Sequence, residues 1–332
     1  MTKLGLTTPT GENESFLIDP SRPSVVDDRS GAQFAPTFLV DEAAEAYEVE
    51  AERRVRAEID GLGLASHVDR LDRDGFTILS PDETGAGTLV DQALERVLQI
   101  AGDRAGIDAK DMKTGKRHAD YATPFGQAQW EPSLLLEDPI FERLLMNRAK
   151  LSLITYLLGE SSTLNHFSCI VKGPGSEYLP LHADQNASGP PPPFAPFSSV
   201  ANATWALTDY DAGNGAICFV AGSHKFGRPP NAQEAVDLSL FQPVEAAAGS
   251  VIIWHGNTWH GALPRRNPGL RVCIVEYMQR WYLRPTEDLS TRISAEALAR
   301  NTERFAVLTG VRRPVQEIGS TRSKAAKLGQ FS

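Results

Sequence analysis

At Gly159 the hydrophobic period of the chain changes, and that switch limits the architectures open to it. Before it, apolar residues recur at helical spacing: Tyr47, Ala51, Val55 and Ile59 within 41–60, and Phe141, Leu144, Leu145 and Leu151 within 139–158. Further helices are predicted over 68–72, ending at Asp74-Gly75, and over 91–100, with a short strand over 76–79 between them. After Gly159 come short β-branched and aromatic runs separated by turn residues, over 166–172, 201–208, 216–220, 250–255 and 270–282. Helices followed by such runs predict an α+β fold, with helices packed on a β-sandwich or barrel. No internal repeat is present. A single domain is expected over 39–311, with its β core at about 160–285, after a polar arm over 1–38 and before a basic tail over 312–332.

Composition narrows the function classes. Of 332 residues, 41% are hydrophobic and 23% charged, which is ordinary for a globular protein and excludes a fibrous repeat. The formal charge is -9, unevenly spread: residues 1–60 carry 6 basic and 13 acidic side chains, and 312–332 carry 5 and 1. A nucleic-acid binder would show a folded basic face interleaved with aromatics, so nucleic acid is not an expected partner. The longest apolar stretches, 151–158 and 251–254, fall far short of the roughly 18 residues of a membrane span. The first residues lack the apolar core of a secretory signal, so the glycosylation-like tripeptides at Asn13, Asn186 and Asn202 are expected to go unused and the protein to be cytoplasmic. Cys169, Cys218 and Cys273 are odd in number and widely spaced, which suits buried, reduced packing residues rather than a disulfide framework or a zinc ribbon.

Three of the seven histidines are followed two residues later by aspartate: His67 with Asp69, His118 with Asp120, and His182 with Asp184. Residues two apart point to nearly opposite sides of a helix but share a face in extended chain. His67 falls in a helical stretch, whereas His182 and Asp184 lie at the edge of β texture, where both can reach one metal ion. A third ligand is expected from another strand, and His260 follows the apolar run 250–255. Two histidines and one carboxylate cover one triangular face of an octahedral metal and leave three positions open, the arrangement of non-haem Fe(II) oxygenases. Arg271, eleven residues beyond His260, shares a strand face with Cys273, Val275 and Tyr277. A buried guanidinium needs an anion, and a dicarboxylate co-substrate would supply one in two-pronged fashion.

From Asn165 to about Tyr282 the chain resembles the phytanoyl-CoA dioxygenase family of Fe(II)- and 2-oxoglutarate-dependent oxygenases, whose core is a double-stranded β-helix, or jelly roll. The matching motifs fall in order: Lys172-Gly-Pro-Gly-Ser176, Leu181-His-Ala-Asp184, Thr204-Trp-Ala-Leu-Thr-Asp209, the run from Asn214 to Gly222-Ser-His224, and Trp259-His-Gly-Ala262 followed by Arg271. The resemblance implies Fe(II) held by His182, Asp184 and His260, and O2 as oxidant. It further implies that 2-oxoglutarate chelates the iron and turns its far carboxylate to Arg271. Trp205 falls where the family places a tryptophan beside that co-substrate, though a strand tryptophan also fits a plain core position. Only His260 has the family spacing to Arg271. His255 is read as a strand residue bonded to backbone, His224 as steadying a turn, His118 as a loop residue, and Lys172 as capping a turn. Two departures stand out: Ala221 replaces the family's usual proline, and four prolines, Pro190 to Pro193, follow the metal aspartate.

The expected reaction is hydroxylation of a hydrophobic, natural-product or lipid-like small molecule with release of succinate and CO2. Desaturation and ring chemistry are open to the same machinery, and oligomeric state is not encoded. Asp184 occupies the position that related halogenating enzymes leave free for chloride, so halogenation is not expected. A metal-binding β-barrel without turnover, acting as a sensor or structural protein, is the alternative, and zinc hydrolysis with the same ligands a third possibility. The segment 189–196, with Phe194 and Phe197, is expected to wall the substrate pocket, because prolines lower the entropy lost on ordering and the two rings supply apolar surface.

Overall fold

The computed structural model describes residues 42–108, 111, 128–175, 177–185 and 191–312, with four short strands between positions 5 and 34; side chains are described from Glu50 onward. The chain divides into two compact units, residues 1–49 and 50–332. In the first, β1 (Gly5–Thr7) pairs antiparallel with β2 (Asn13–Ser15), and β3 (Val25–Val26) with β4 (Gln33–Phe34). Most of the basic tail, His118 and the start of the proline run lie outside the described residues.

α1 (Glu42–Gly61) crosses from the first unit into the second and is followed by α2 (Ala65–Asp74). α2 stops at Gly75, whose φ of 84° is left-handed and whose N–H bonds to the Leu71 carbonyl. A β-carbon there would also come within 2.5 Å of both His224 and Thr258, so glycine is required twice over. β5 (Phe76–Leu79) follows, then α3 (Pro81–Thr84), started by a Ser80–Glu83 capping box, and α4 (Leu89–Ala105).

The single helix predicted over 139–158 is two, α5 (Pro139–Leu145) and α6 (Arg148–Leu158). The break is chemical. The Asn147 side chain accepts from the Lys150 N–H and starts a new helix, while the Lys150 ammonium donates to the last carbonyls of α5, Leu144 and Leu145, at 3.1 and 2.6 Å.

The remaining strands are β6 (Ala128–Glu131), β7 (Thr163–Lys172), β8 (Leu179–His182), β9 (Val200–Ala206), β10 (Ile217–Phe219), β11 (Gln242–Pro243), β12 (Val251–His255), β13 (His260–Ala262) and β14 (Arg271–Gln279). They form a six-stranded sheet in the order β5-β12-β9-β14-β7-β6 and a four-stranded sheet in the order β11-β10-β13-β8, all pairs antiparallel. This is the jelly-roll core expected from the sequence. α7 (Ala295–Arg300) and α8 (Glu303–Leu308) complete the chain.

Strand alternation sends side chains of the larger sheet to two different cores. Ala201, Ala203 and Trp205 of β9 and Val272, Ile274 and Met278 of β14 face outward, into a core shared with helical residues such as Phe141, Leu153 and Ile154. Ala206, Ile252, Trp254 and Cys273 face inward, against Ile217 and Phe219 of the smaller sheet, where the Phe76 and Phe219 rings stack at 4.3 Å. The inward face holds the site.

Candidate metal centre

His182 ends β8 and His260 begins β13, and in the antiparallel ladder they are directly opposed. That adjacency depends on Gly261: a β-carbon there would meet the Leu179 carbonyl at 2.4 Å and push the two strands apart. Asp184 follows two residues beyond His182. One ligand atom from each of the three lies within 4.8 Å of the others. His182 Nε2 is 3.8 Å from Asp184 Oδ1, and His260 Nε2 is 3.6 Å from Asp184 Oδ2.

Hydrogen bonds set the ligand atoms. His182 Nδ1 lies 2.9 Å from the Pro180 carbonyl and His260 Nδ1 lies 3.1 Å from that of Thr258. A carbonyl only accepts, so each Nδ1 carries the proton and each Nε2 presents its lone pair. Asn202 Nδ2 and Trp254 Nε1 both donate to Asp184 Oδ2, at 2.6 and 3.1 Å. These donors fix the carboxylate through Oδ2 and leave Oδ1 as the oxygen available to a metal ion. Burial, with His182 alongside, pushes the His260 imidazole down to about 4 against the opposing pull of Asp184, so the ring is neutral as a ligand must be. The His182 side chain is 42% exposed, which opens the centre to solvent on the β8 side.

The register of the larger sheet orders what lies beneath. Asn202, Tyr277 and His166 form one row across β9, β14 and β7, and Tyr277 Oη donates to the Asp184 carbonyl at 3.3 Å. Thr204, Val275 and Ser168 form the next inward row, and Arg271 pairs with Lys172 at the far end. Arg271 is 3% exposed, donates to Tyr210 Oη at 2.7 Å and lies over the Tyr210 ring at 5.0 Å. It has no carboxylate partner among the described residues. Lys172 donates to the Leu263 carbonyl, and burial followed by the nearby Arg271 charge brings its ammonium down to about 7. Among the described residues, Arg271 Nε, Ser168 Oγ, Thr204 Oγ1 and Asn202 Oδ1 are buried without a hydrogen-bond partner. A buried guanidinium with no carboxylate among the described residues, and orphaned polar atoms along the rows toward His182, Asp184 and His260, fit a dicarboxylate spanning from the candidate metal centre to Arg271.

Other residues singled out in the sequence go elsewhere. Trp205 is not brought to the site: strand parity turns it outward, fully buried, with Nε1 donating to Glu276 at 2.8 Å. Phe194 is buried against Ala183 and Trp259 and, with Ala195 and Pro196, lines a cavity of about 430 Å3. The other walls of that cavity include Leu71, Leu157, His224 and His255, and none of the metal ligands. Phe197 is exposed, with the Arg280 guanidinium over its ring at 5.0 Å. His67 sits in α2, bonded to Thr77 at 2.7 Å and Glu83 at 2.8 Å. His255 Nδ1 accepts from the Asn257 N–H, as expected of a strand residue tied to backbone, and burial pushes its ring down to about 3. His224 bonds the Asp72 carbonyl from the short helix after β10. All three cysteines are buried and free.

Asn202, Trp254, Tyr277 and Tyr210 were not singled out as site residues. Asn202 and Trp254 are register partners on adjacent strands, which is why both reach one oxygen of Asp184. The available signal was Asn202, an amide side chain near the middle of a strand buried at every position.

The profile of the family described as phytanoyl-CoA dioxygenase (PhyH) matches residues 71–273. The chain belongs to this family of Fe(II)- and 2-oxoglutarate-dependent oxygenases. It is 30% identical over 167 residues to dioxygenase af480 of Aspergillus fumigatus, covering 48% of this chain and 51% of that protein. It is 28% identical over 154 residues to dioxygenase FUM3 of Gibberella moniliformis, covering 45% and 47%. The chain thus spans about half the length of the curated relatives it matches. Its fold is similar to that of HygX from Streptomyces hygroscopicus, a structure with nickel and 2-oxoglutarate bound, at a TM-score of 0.51 and 15% identity over 70% of this chain and 93% of that one. Among the described residues no helix is long and apolar enough to cross a membrane.

Proposed function

We propose that the protein oxygenates a small, predominantly apolar molecule at a centre where His182, Asp184 and His260 hold Fe(II) and Arg271 anchors 2-oxoglutarate. The observation that carries this reading is the presence, between the two sheets, of three ligand atoms within 4.8 Å of one another together with a buried arginine that has no carboxylate partner among the described residues. Fe(II) with 2-oxoglutarate and O2 supplies the oxidising step, in which a substrate C–H bond becomes C–OH and the co-substrate becomes succinate and CO2.

The protein's own part is positioning. The Pro180 and Thr258 carbonyls hold both imidazoles with Nε2 inward, and Asn202 and Trp254 keep Asp184 to one ligating oxygen. Three protein ligands leave half of an octahedron for co-substrate and oxidant. Tyr210 steadies the Arg271 fork, whose planar donors match a carboxylate in two-pronged fashion. Ile252, Phe219 and Cys273 supply an apolar inner wall, while the centre stays open on the β8 side. Asp184 would take the ligand position that related halogenating enzymes leave for chloride, so hydroxylation is favoured over halogenation.

The test is succinate release coupled to O2 consumption when candidate substrates are added to the Fe(II)-loaded protein with 2-oxoglutarate. A metal-binding barrel without turnover would show neither, and chlorinated product in chloride buffer would refute the assigned reaction type.

A further inference from the structure

Beyond the metal row, toward solvent, the site continues into aromatic side chains that hold no metal. His166 stacks on Tyr277 with centroids 5.2 Å apart and planes 26° from parallel. Trp130, on β6, meets His166 edge to face at 6.1 Å and 89°. β6 is the last strand of the larger sheet and β8, carrying His182, the last strand of the smaller one. Only residues 173–178 separate β7 from β8, so both edges lie on one side of the barrel. Trp130 is 43% exposed. The order from solvent inward is therefore Trp130, His166, Tyr277 and the Asp184 backbone.

We propose that Trp130, His166 and Tyr277 form the substrate wall of the centre and select flat, fused-ring molecules carrying a hydroxyl group. This rests on the oxygenase reading above, because it takes the metal centre as the place of reaction. A planar ring system extends a stack that the protein already begins, and such pairs contribute beyond the area they bury. A flexible acyclic chain of equal carbon number gains no stacking and loses more rotational freedom on binding. His166 Nδ1 lies 3.3 Å from Asn165 Oδ1, so it carries the proton and Nε2 remains to accept from a substrate hydroxyl. The wall lies apart from the Phe194–Phe197 segment, of which Phe197 is exposed under Arg280 and Phe194 packs against Ala183 and lines a separate cavity.

The test titrates the full chain by ligand-detected NMR with 2-naphthol and with 1-decanol, two ten-carbon alcohols that differ in flatness. One series uses protein loaded with Fe(II) and 2-oxoglutarate without O2, and a second uses metal-free protein. The expected result is binding of 2-naphthol about tenfold tighter than 1-decanol, a difference of about 1.4 kcal/mol. Trp130→Ala, at a half-exposed edge position, is expected to remove most of that preference, with 1-decanol changed by less than about twofold. His166→Leu, which keeps apolar volume, is expected to act in the same direction. Equal affinities for the two alcohols, or full preference retained in both variants, would overturn the proposal. Succinate formed from 2-oxoglutarate without added substrate reports separately on the oxygenase reading. A Trp130-dependent preference in a protein that forms no succinate would support the wall and sink that reading.

Discussion

On the outward face of β14, Glu276 meets the Lys150 ammonium and the Trp205 indole N–H in a fully buried cluster, and the same ammonium caps the end of α5. On the inward face of the same strand, Arg271 is nearly as deeply buried and, among the described residues, has a tyrosine hydroxyl and a cysteine sulfur as its side-chain partners. Burial pushes Glu276 up and Lys150 down, and each partner's charge opposes that push. The outward group is complete within the protein and holds helices to the sheet. The inward group has no carboxylate among the described residues, and because an uncompensated buried charge is costly, this is the feature on which the proposed 2-oxoglutarate anchor rests.

The largest effect expected from breaking this contrast is at the metal. His260→Ala should reduce Fe(II)-dependent succinate formation by about a hundredfold or more, since removing even an outer partner of a ligand costs about 10–100-fold. Iron titration and turnover check it; His255→Ala and His67→Ala should retain activity, and a dead His255 variant beside a live His260 variant would reassign the third ligand.

Glu276→Ala comes next, on the structural side. It strands Lys150, and breaking a buried pair costs about 3–5 kcal/mol, read as a lower denaturant midpoint, with the Michaelis constant for 2-oxoglutarate unchanged in the folded fraction. Arg271→Lys should do the reverse. Stability should hold while the Michaelis constant for 2-oxoglutarate rises about tenfold, more than that for substrate, because an ammonium cannot reproduce the planar fork. Equal shifts in both constants would move the anchor to another residue.

The smallest effect belongs to the surface. Burial alone would raise the Glu83 carboxyl, but hydrogen bonds from His67 and Ser80 bring it from 4.5 down to about 2. A carboxyl depressed on folding stabilises the protein above its unfolded value, near pH 4.5, and that stabilisation is lost as pH falls through about 2. Glu83→Gln should therefore destabilise at pH 7 by less than about 1 kcal/mol, given the partial exposure, and by clearly less near pH 2, where the folded-state carboxyl is about half protonated. Denaturation curves at the two pH values decide it; an equal penalty at both would show that charge is not the cause.

How much of this was legible in the sequence follows strand parity. His182 with Asp184, and Arg271 with Tyr277, are even-numbered separations on extended chain, so spacing alone puts each pair on a shared face. Trp205 is an odd step from Asn202, and a motif match alone cannot say which of two adjacent positions turns inward. Asn202 and Trp254 support Asp184 from 18 and 70 positions away, contacts that arise only once β9 and β12 pair. The two helices over 139–158 hid as one because the apolar spacing runs on through Asn147, and only its cap to Lys150 marks the break.

His182 and His260 stand opposite each other across β8 and β13, yet 78 residues separate them along the chain. Closing a loop of that length costs on the order of 4 kcal/mol before any contact across it is made. Until β13 pairs with β8, only His182 and Asp184 stand together, so the three-ligand set is a property of the closed smaller sheet rather than of any one segment of the chain. Metal loading would then report assembly, because a molecule that has lost the β8–β13 pairing keeps two of the three ligands together.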